Sequence, residues 1–355
     1  MKVILLFYCL IFFNSCDNKA TKSNDIAKKD SVIDKRAELF LGINREIEAH
    51  PRDAKLFYER SLIYYEIGDT TEAQRDIWKA IEIDSGQADY YRMDGFYYYI
   101  NGKDSLALER LFKSLIINKH NAETMTMIGN IYSLRKDYKV ALEWYEKALI
   151  RNSDKADIHF NKCYVLRKMG RVNEGIKSCE TALSYDSLFI KALNELFDIY
   201  LIDRQDTIKA LGYNRRIEKQ DSLHPLNNYN RGRYEYWLSQ KQGLDKKQKD
   251  VKIKMAIEGF TKALNATPGF ADAYYYRGFC LYEIGRYEDA MRDFQLAIIT
   301  NPKDARAYFM TGSLYEYYQD YQKAMVFYEK TLSLDRNFKG AQTAKETVVK
   351  MLNKN

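Results

Sequence analysis

The sequence predicts an all-α fold, a solenoid of about eight helix-turn-helix repeats, and three observations predict it. First, Ala54, Ala88, Ala122, Ala156 and Ile190 stand at intervals of 34 residues, which is the signature of a repeat array. Second, small residues recur at fixed places in that period. Ser61, Gly95, Gly129, Cys163, Gly232, Gly278 and Gly312 hold one; Ala73, Ala107, Ala141, Gly175, Ala290 and Ala324 another; Ala80, Ser114, Ala148, Ala182, Ala263 and Ala297 a third. Small residues there let two antiparallel helices approach, and large ones between them, such as Phe57, Tyr91, Tyr132, Leu166, Tyr274 and Leu281, fill the gaps. Third, alternating strand patterns are absent and only four prolines punctuate 355 residues. Such a unit cannot bury its apolar face alone and must stack on its neighbours.

Residues 1–15 read as a secretory signal. Met1-Lys2 is basic, and Val3 to Phe13 is an apolar run too short to span a bilayer as a helix. Asn14-Ser15-Cys16 then resembles the lipobox of bacterial lipoproteins, with Cys16 as the lipid-modified first residue of the mature chain. Phe13 and Asn14 depart from the commonest form, which has Leu and a small residue. An uncleaved anchor and a non-lipidated signal are the alternatives. Residues 16–30 have the polar composition of a flexible tether. With a diacylglycerol and an amide-linked chain on Cys16, anchoring exceeds the two signals that stable attachment requires. Residues 31–53 read as an N-terminal capping helix.

The array proper is expected over 54–338, as units 54–87, 88–121, 122–155, 156–189, 190–224, 225–270, 271–304 and 305–338. Residues 271–304 read ADAYYYRGFCLYEIGRYEDAMRDFQLAIITNPKD. The chain resembles the tetratricopeptide repeat family, whose pattern of aromatic, Gly, aromatic, Gly-x-Tyr, Ala, Phe, Ala and Pro stands here at the usual offsets. Units 54–87, 122–155 and 305–338 match nearly as well. Unit 156–189 matches with His159 at an aromatic position, Cys163 at the first small position and Gly175 at the second. Unit 190–224 has Phe197 at a small position and needs one extra residue before Ala210. Unit 225–270 holds an insertion at 239–250. Residues 339–355 are expected to form a C-terminal capping helix over the last apolar face. The resemblance implies a right-handed superhelix.

Little in the chain points to catalysis. His50, His120 and His224 fall at repeat ends and His159 at a core position, with no helical pairing that would suit zinc. No G-x-S-x-G, phosphate-binding glycine loop or H-E-x-x-H motif is present. Carboxylates are plentiful but read as helix-surface or unit-end residues. No metal and no cofactor is expected. Cys163 and Cys179 lie on facing helices of one repeat. A disulfide is geometrically possible, and two buried packing thiols are the preferred reading. Cys280 reads as a small core residue.

The expected function is therefore binding, on the first helix of each repeat, which by the resemblance lines a concave groove. The groove positions carry Tyr58, Tyr65, Arg92, Phe96, Tyr99, Phe160, Tyr164, Arg167, Tyr229, Arg233, Tyr236, Tyr275, Phe279, Tyr282 and Phe309, with Trp237 and Tyr317 beside them. Aromatics with Arg are the composition of protein-binding hot spots. Packing of the same rings within the stack is the alternative. Tyr58 and Leu62 stand where the family's carboxylate clamp has Lys and Asn, so capture of a terminal carboxylate is not expected.

Net charge is +7, and between Arg204 and Lys254 thirteen Lys or Arg face six Asp or Glu. The stretch 241–254 reads as a solvated spur, or as a contact with an acidic partner or anionic headgroups. The sequence thus reads as a scaffold of the bacterial cell envelope, lipid-anchored at Cys16, with the outer membrane favoured. It would take a peptide or helix of another envelope protein, and nucleic acid is disfavoured by the secretory signal. A peptidoglycan-directed hydrolase or its accessory, and a purely structural spacer, are the competing classes.

Overall fold

The computed structural model describes residues 38–222 and 224–353. The expected signal 1–15, Cys16, the tether 16–30 and the start of the N-terminal cap lie outside the described residues. Those described are helical throughout, with no strand. They form two compact units, 38–205 and 206–353, and the division falls inside repeat 190–224. No described helix is long and apolar enough to cross a membrane.

The first unit opens with α1, residues 38–49. Helix pairs follow: α2 (Ala54–Glu66) with α3 (Thr70–Ile83), α4 (Ala88–Ile100) with α5 (Asp104–Ile117), α6 (Ala122–Leu134) with α7 (Tyr138–Arg151), and α8 (Ala156–Lys168) with α9 (Val172–Tyr185). Each first helix has 13 residues and each second helix 14, as a fixed period demands. Side-chain caps open several of them. Asn121 Oδ1 accepts from Thr124 N, and Asp69 Oδ1 from Glu72 N.

Between the two helices of a repeat, the fifteenth residue takes the left-handed conformation. Gly68, Gly102, Gly170 and Gly285 occupy that place, with φ between 71° and 88°. Lys136 and Gln319 hold the same place in their own repeats at φ 66° and 62°, where an L-residue is strained. Repeat 190–224 explains its extra residue here. After α10 (Ile190–Asp198) comes a π-helical turn, Ile199–Asp203, and the left-handed residue arrives one place late, at Gln205. Inserting one residue into a helix is what a π-bulge does.

Within a repeat, the eighth residue meets a large side chain sixteen residues on. A Cβ built on Gly129 would stand 2.5 Å from Tyr145, one on Gly95 2.8 Å from Leu111, and one on Gly312 2.8 Å from Tyr328. Gly278 obeys the same rule: its near neighbours are Phe294 and Asp293 rather than Ala290. Tyr145, Leu111, Phe294 and Tyr328 are almost wholly buried, each contributing roughly 1.5–3 kcal/mol of apolar burial. In repeat 156–189 the two positions are Cys163 and Cys179, and they are joined as a disulfide with Cα atoms 5.3 Å apart. This corrects the expectation of two free packing thiols: the eighth position is where helices come closest, which brings the two Cβ atoms within bonding reach.

The second unit holds α11 (Thr207–Gln220), α12 (Pro225–Ser239), α13 (Lys246–Ala266), α14 (Ala271–Glu283), α15 (Tyr287–Thr300), α16 (Ala305–Tyr317), α17 (Tyr321–Leu334) and α18 (Lys339–Leu352). The insertion lengthens α12 to 15 residues and α13 to 21. Helix α13 opens on a capping box between Asp245 and Gln248. Phe260 of α13 packs where a Cβ on Gly232 would stand, 2.9 Å away, so the repeat contact survives the insertion. At the end, α18 lays Val348 against Ala324 and Tyr328.

Carboxylates are not confined to surfaces, contrary to expectation. Asp76, Asp94, Glu195, Asp293 and Asp304 are buried, and each is matched with an arginine. Arg60 clasps Asp76 with two nitrogens at 2.6 and 2.7 Å, and Arg277 clasps Asp293 at 2.7 and 2.8 Å. Both pairs join the seventh residue of a repeat to the twenty-third. Repeat 88–121 carries the pair reversed, with Asp94 seventh and Arg110 twenty-third, 3.2 Å apart. Reversal suits the neighbour below, since Gln74 Nε2 and Trp78 Nε1 both donate to Asp94 at 3.0 Å.

Candidate protein-binding face

The fifteen groove residues all lie on first helices of repeats, and none of them is fully exposed. Two are buried outright. Arg92, 5% exposed, is drawn to Asp89 at 2.9 Å and Glu123 at 3.6 Å. Tyr229, 6% exposed, sits against Phe270, Phe260 and Tyr276, with Arg233 over its ring. These two side chains belong to the core rather than to an open surface. Helix periodicity places a residue on a face; it does not say how closely the next repeat covers that face.

In the first unit the remaining residues are half-buried, and Tyr58, Tyr65 and Phe96 pair across repeats. Tyr58 packs on Tyr90 at 5.2 Å, and Tyr65 meets Phe96 edge-on at 5.1 Å. Tyr99 lies half-buried against Leu111 and its neighbours. Phe160 meets Phe189 edge-on, and Tyr164 carries Lys168 over its ring. Arg167 ends this row among three carboxylates, Asp203 at 2.7 Å, Glu195 at 3.1 Å and Asp198 at 3.8 Å. Burial pushes the Glu195 carboxyl above the usual carboxylate range, and Arg167 opposes the shift.

In the second unit the row runs over α12, α14 and α16. Tyr236 donates to Glu283 at 3.0 Å and sets its ring edge-on to Phe279. Tyr275 lies between Phe279 and Phe294, with the Arg306 guanidinium 4.5 Å over its ring. Burial pushes the Tyr275 hydroxyl up to about 12, partly opposed by Arg306. Phe309 is covered by Phe338 and Tyr328. Tyr282 packs on Tyr287, which stacks in turn on Tyr317 with centroids 4.4 Å apart.

This row opens into a cleft of about 430 Å³ lined by Tyr282, Ser313, Glu316, Tyr317, Gln319, Tyr321 and Met351. Tyr317 is 56% exposed and forms its most accessible ring. Glu316 accepts from Tyr328 at 2.5 Å, which fixes one carboxylate oxygen and leaves the other to the cleft. The cleft is open to solvent and its lining is more polar than apolar, through Ser313, Glu316, Gln319 and the tyrosine hydroxyls, as suits the edge of a peptide-binding surface more than an enclosed small-molecule pocket. Sequence reasoning missed Ser313, Glu316 and Met351. The capping helix that brings Met351 has no place in the repeat pattern, so no period could flag it.

Among the described residues, no group of three or more His, Cys, Asp or Glu is placed to hold a metal ion. His159 stacks on Tyr185, and its Nε2 lies 2.8 Å from the Ser153 carbonyl oxygen. His224 caps α12. Cys280 is buried, and burial pushes its thiol up.

Comparison with known proteins agrees with this architecture. Sequence profiles of the tetratricopeptide repeat match residues 54–87, 121–152, 271–304 and 305–338, so the chain carries tetratricopeptide repeats. Among solved structures, a human IFIT1 dimer with m7Gppp-AAAA aligns over 91% of this chain and 87% of its own, at 16% identity and TM-score 0.55. A tetratricopeptide repeat protein from Parabacteroides merdae aligns over 84% and 99%, at 15% and 0.52. The Cut9–Hcn1 structure of the APC/C aligns over 88% of this chain but only 59% of its own, at 14% and 0.54. At such identities the likeness is one of fold. No curated protein sequence matches the chain.

Proposed function

We propose that this repeat array is a non-catalytic adaptor of the bacterial cell envelope, held to the membrane through a lipid on Cys16. Its first-helix face takes a peptide or helix from another envelope protein. The observation that carries the reading is the cleft beside Tyr282 and Tyr317. There Tyr317, 56% exposed, stands open beside the Glu316 carboxylate, with the half-buried Tyr282 next to it. Elsewhere the rings pair with one another and leave polar edges, which suits the rim of a longer groove. A partner segment with a small apolar anchor and a basic or hydrogen-bond-donating neighbour fits this lining, since Glu316 accepts and does not donate. The Cys163–Cys179 bond supports a location outside the reducing cytoplasm.

Photo-crosslinking in the source cells tests the binding reading. A photoreactive side chain at Tyr317 is expected to capture a defined envelope protein, and the same group at Ile299, exposed on the second helix of the neighbouring repeat, is not. Equal capture at both positions, or at neither, would set the reading aside. Acyl labelling of wild type and of Cys16→Ser tests the anchor, and labelling that survives the substitution contradicts it.

A further inference from the structure

The start of α13 carries a second surface, distinct from the cleft and independent of it. Its inward face is buried, through Ile253, Ala256, Phe260 and Ala263. Its outward face is also apolar: Val251 and Met255 lie one turn apart and are 49% and 43% exposed, and Leu244, just before the cap, is 37% exposed. Around this stripe stand the lysines of the insertion. Lys249 reaches Glu283 at 3.5 Å and Lys252 reaches Glu235 at 2.9 Å, while Lys241 lies 3.8 Å over the Trp237 ring. Lys246, Lys247 and Lys254 make no ion pair or ring contact among the described residues. Of the acids on this stretch, Asp245 spends its side chain on the helix cap and Glu258 pairs with Lys262, while Asp250 stands four residues from both Lys246 and Lys254.

We infer that this corner of the second unit, Leu244 to Met255, is a contact for an anionic lipid surface. Beyond the buried face that the stack uses, α13 carries a small outward apolar patch at Val251 and Met255, with Lys247 and Lys254 beside it outside any ion pair. That is the make-up of an interfacial basic helix. The three aliphatic residues can enter the headgroup boundary while lysine stems lie along them with their ammonium groups in water. A planar anionic layer fits better than a partner helix. The stripe spans only three turns, is interrupted by Gln248, and is ended by the Lys262–Glu258 ion pair. Three part-exposed apolar side chains fall well short of the roughly 20–30 residues a side of a stable protein interface. By helical spacing Lys247 and Lys254 line one flank of the stripe, with Lys246 exposed at the helix start, so the charge is offered along an edge as a polybasic lipid contact offers it.

Hydrogen exchange of the full chain, read peptide by peptide, tests the inference with whatever anchor the N-terminus provides held constant. The chain is compared on phosphatidylcholine vesicles and on phosphatidylcholine–phosphatidylglycerol vesicles. Amides over 243–256 are expected to exchange more slowly only on the anionic vesicles, by on the order of tenfold. The effect should vanish in high salt and in the variant Lys246→Glu, Lys247→Glu, Lys254→Glu. Unchanged exchange over 271–338 in that variant confirms that the fold is kept. Equal exchange on both vesicle types, or protection that survives the triple substitution, overturns the inference. So does protection by a soluble helix with glutamates flanking a leucine seam where anionic vesicles give none; that outcome assigns the surface to a protein. A failed crosslink at Tyr317 leaves this result untouched.

Discussion

Cys163 is bonded to Cys179 at the two positions where Gly129 meets Tyr145 and Gly312 meets Tyr328. One repeat thus replaces a glycine–aromatic contact with a covalent one. The bond closes a loop of about 15 residues, for which chain entropy gives about 3 kcal/mol. Cys179→Ala should lower unfolding free energy by about 2–4 kcal/mol in urea. Reductant should weaken wild type and leave the variant unchanged. The double change Cys163→Gly, Cys179→Tyr rebuilds the ordinary contact and should recover much of the loss. If it recovers none, the two positions are not equivalent to Gly129 and Tyr145.

The left-handed turn position offers a second test. Lys136 and Gln319 occupy it at positive φ, where their neighbours have glycine. Lys136→Gly and Gln319→Gly should each raise stability by roughly 0.5–1 kcal/mol, strain relief outweighing the added chain entropy. Gly285→Ala should lower it by about 1 kcal/mol. Thermal melts of the three variants check this, and a loss in both glycine variants contradicts it.

His224 should make the second unit acid-sensitive. Its Nδ1 accepts from Leu226 N at 3.2 Å, which only a ring nitrogen without a proton can do. Burial pushes its pKa down, with Asp221 opposing. The folded state therefore binds a proton less readily than the unfolded chain, whose histidine titrates near about 6.5. The cap's contribution is complete above that value and is lost as pH falls below it toward the folded value. Between pH ~7 and ~5 wild type should lose on the order of 1 kcal/mol, the worth of a cap. His224→Asn should cap α12 without that slope. Parallel slopes in the two proteins would remove His224 from the account.

The reversed ion pair makes a fourth prediction. Asp94 accepts from Gln74 and Trp78 of the preceding repeat, so its charge is set by that neighbour as well as by Arg110. Exchanging the two, as Asp94→Arg with Arg110→Asp, should not restore stability. It should cost more than about 2 kcal/mol, because two donors would face a buried cation. Denaturation of the double variant at wild-type stability would show that polarity is free at this site.

Much of this was legible beforehand. The period placed the helices because each repeat must bury the same face, and the small residues fell where helices touch. The extra residue before Ala210 was visible, but its form as a π-helical turn was not, since a bulge and a longer loop have the same count. The Cys163–Cys179 bond followed from the eighth position's closeness, a distance that sequence does not carry. Arg92 and Tyr229 lie on first helices, as expected, but under neighbouring side chains, because coverage depends on contacts between repeats. Buried carboxylates were missed for a similar reason: a charged residue reads as surface until its arginine is found, on the facing helix of the repeat for Asp76, Asp94 and Asp293 and in the next repeat for Glu195.

The proposed binding site lies at the open end of the second unit's first-helix row, beside Tyr317. Titration of the segment captured at Tyr317 against single alanine variants tests it most directly. Tyr317→Ala and Tyr282→Ala should each weaken binding by about 2 kcal/mol, roughly thirtyfold in Kd, with thermal stability little changed in Tyr317→Ala and lowered in Tyr282→Ala, whose ring packs against the core. Ile299→Ala should bind as wild type does. Undiminished binding by both tyrosine variants, with loss in Ile299→Ala, would place the partner on the second helices and contradict the account.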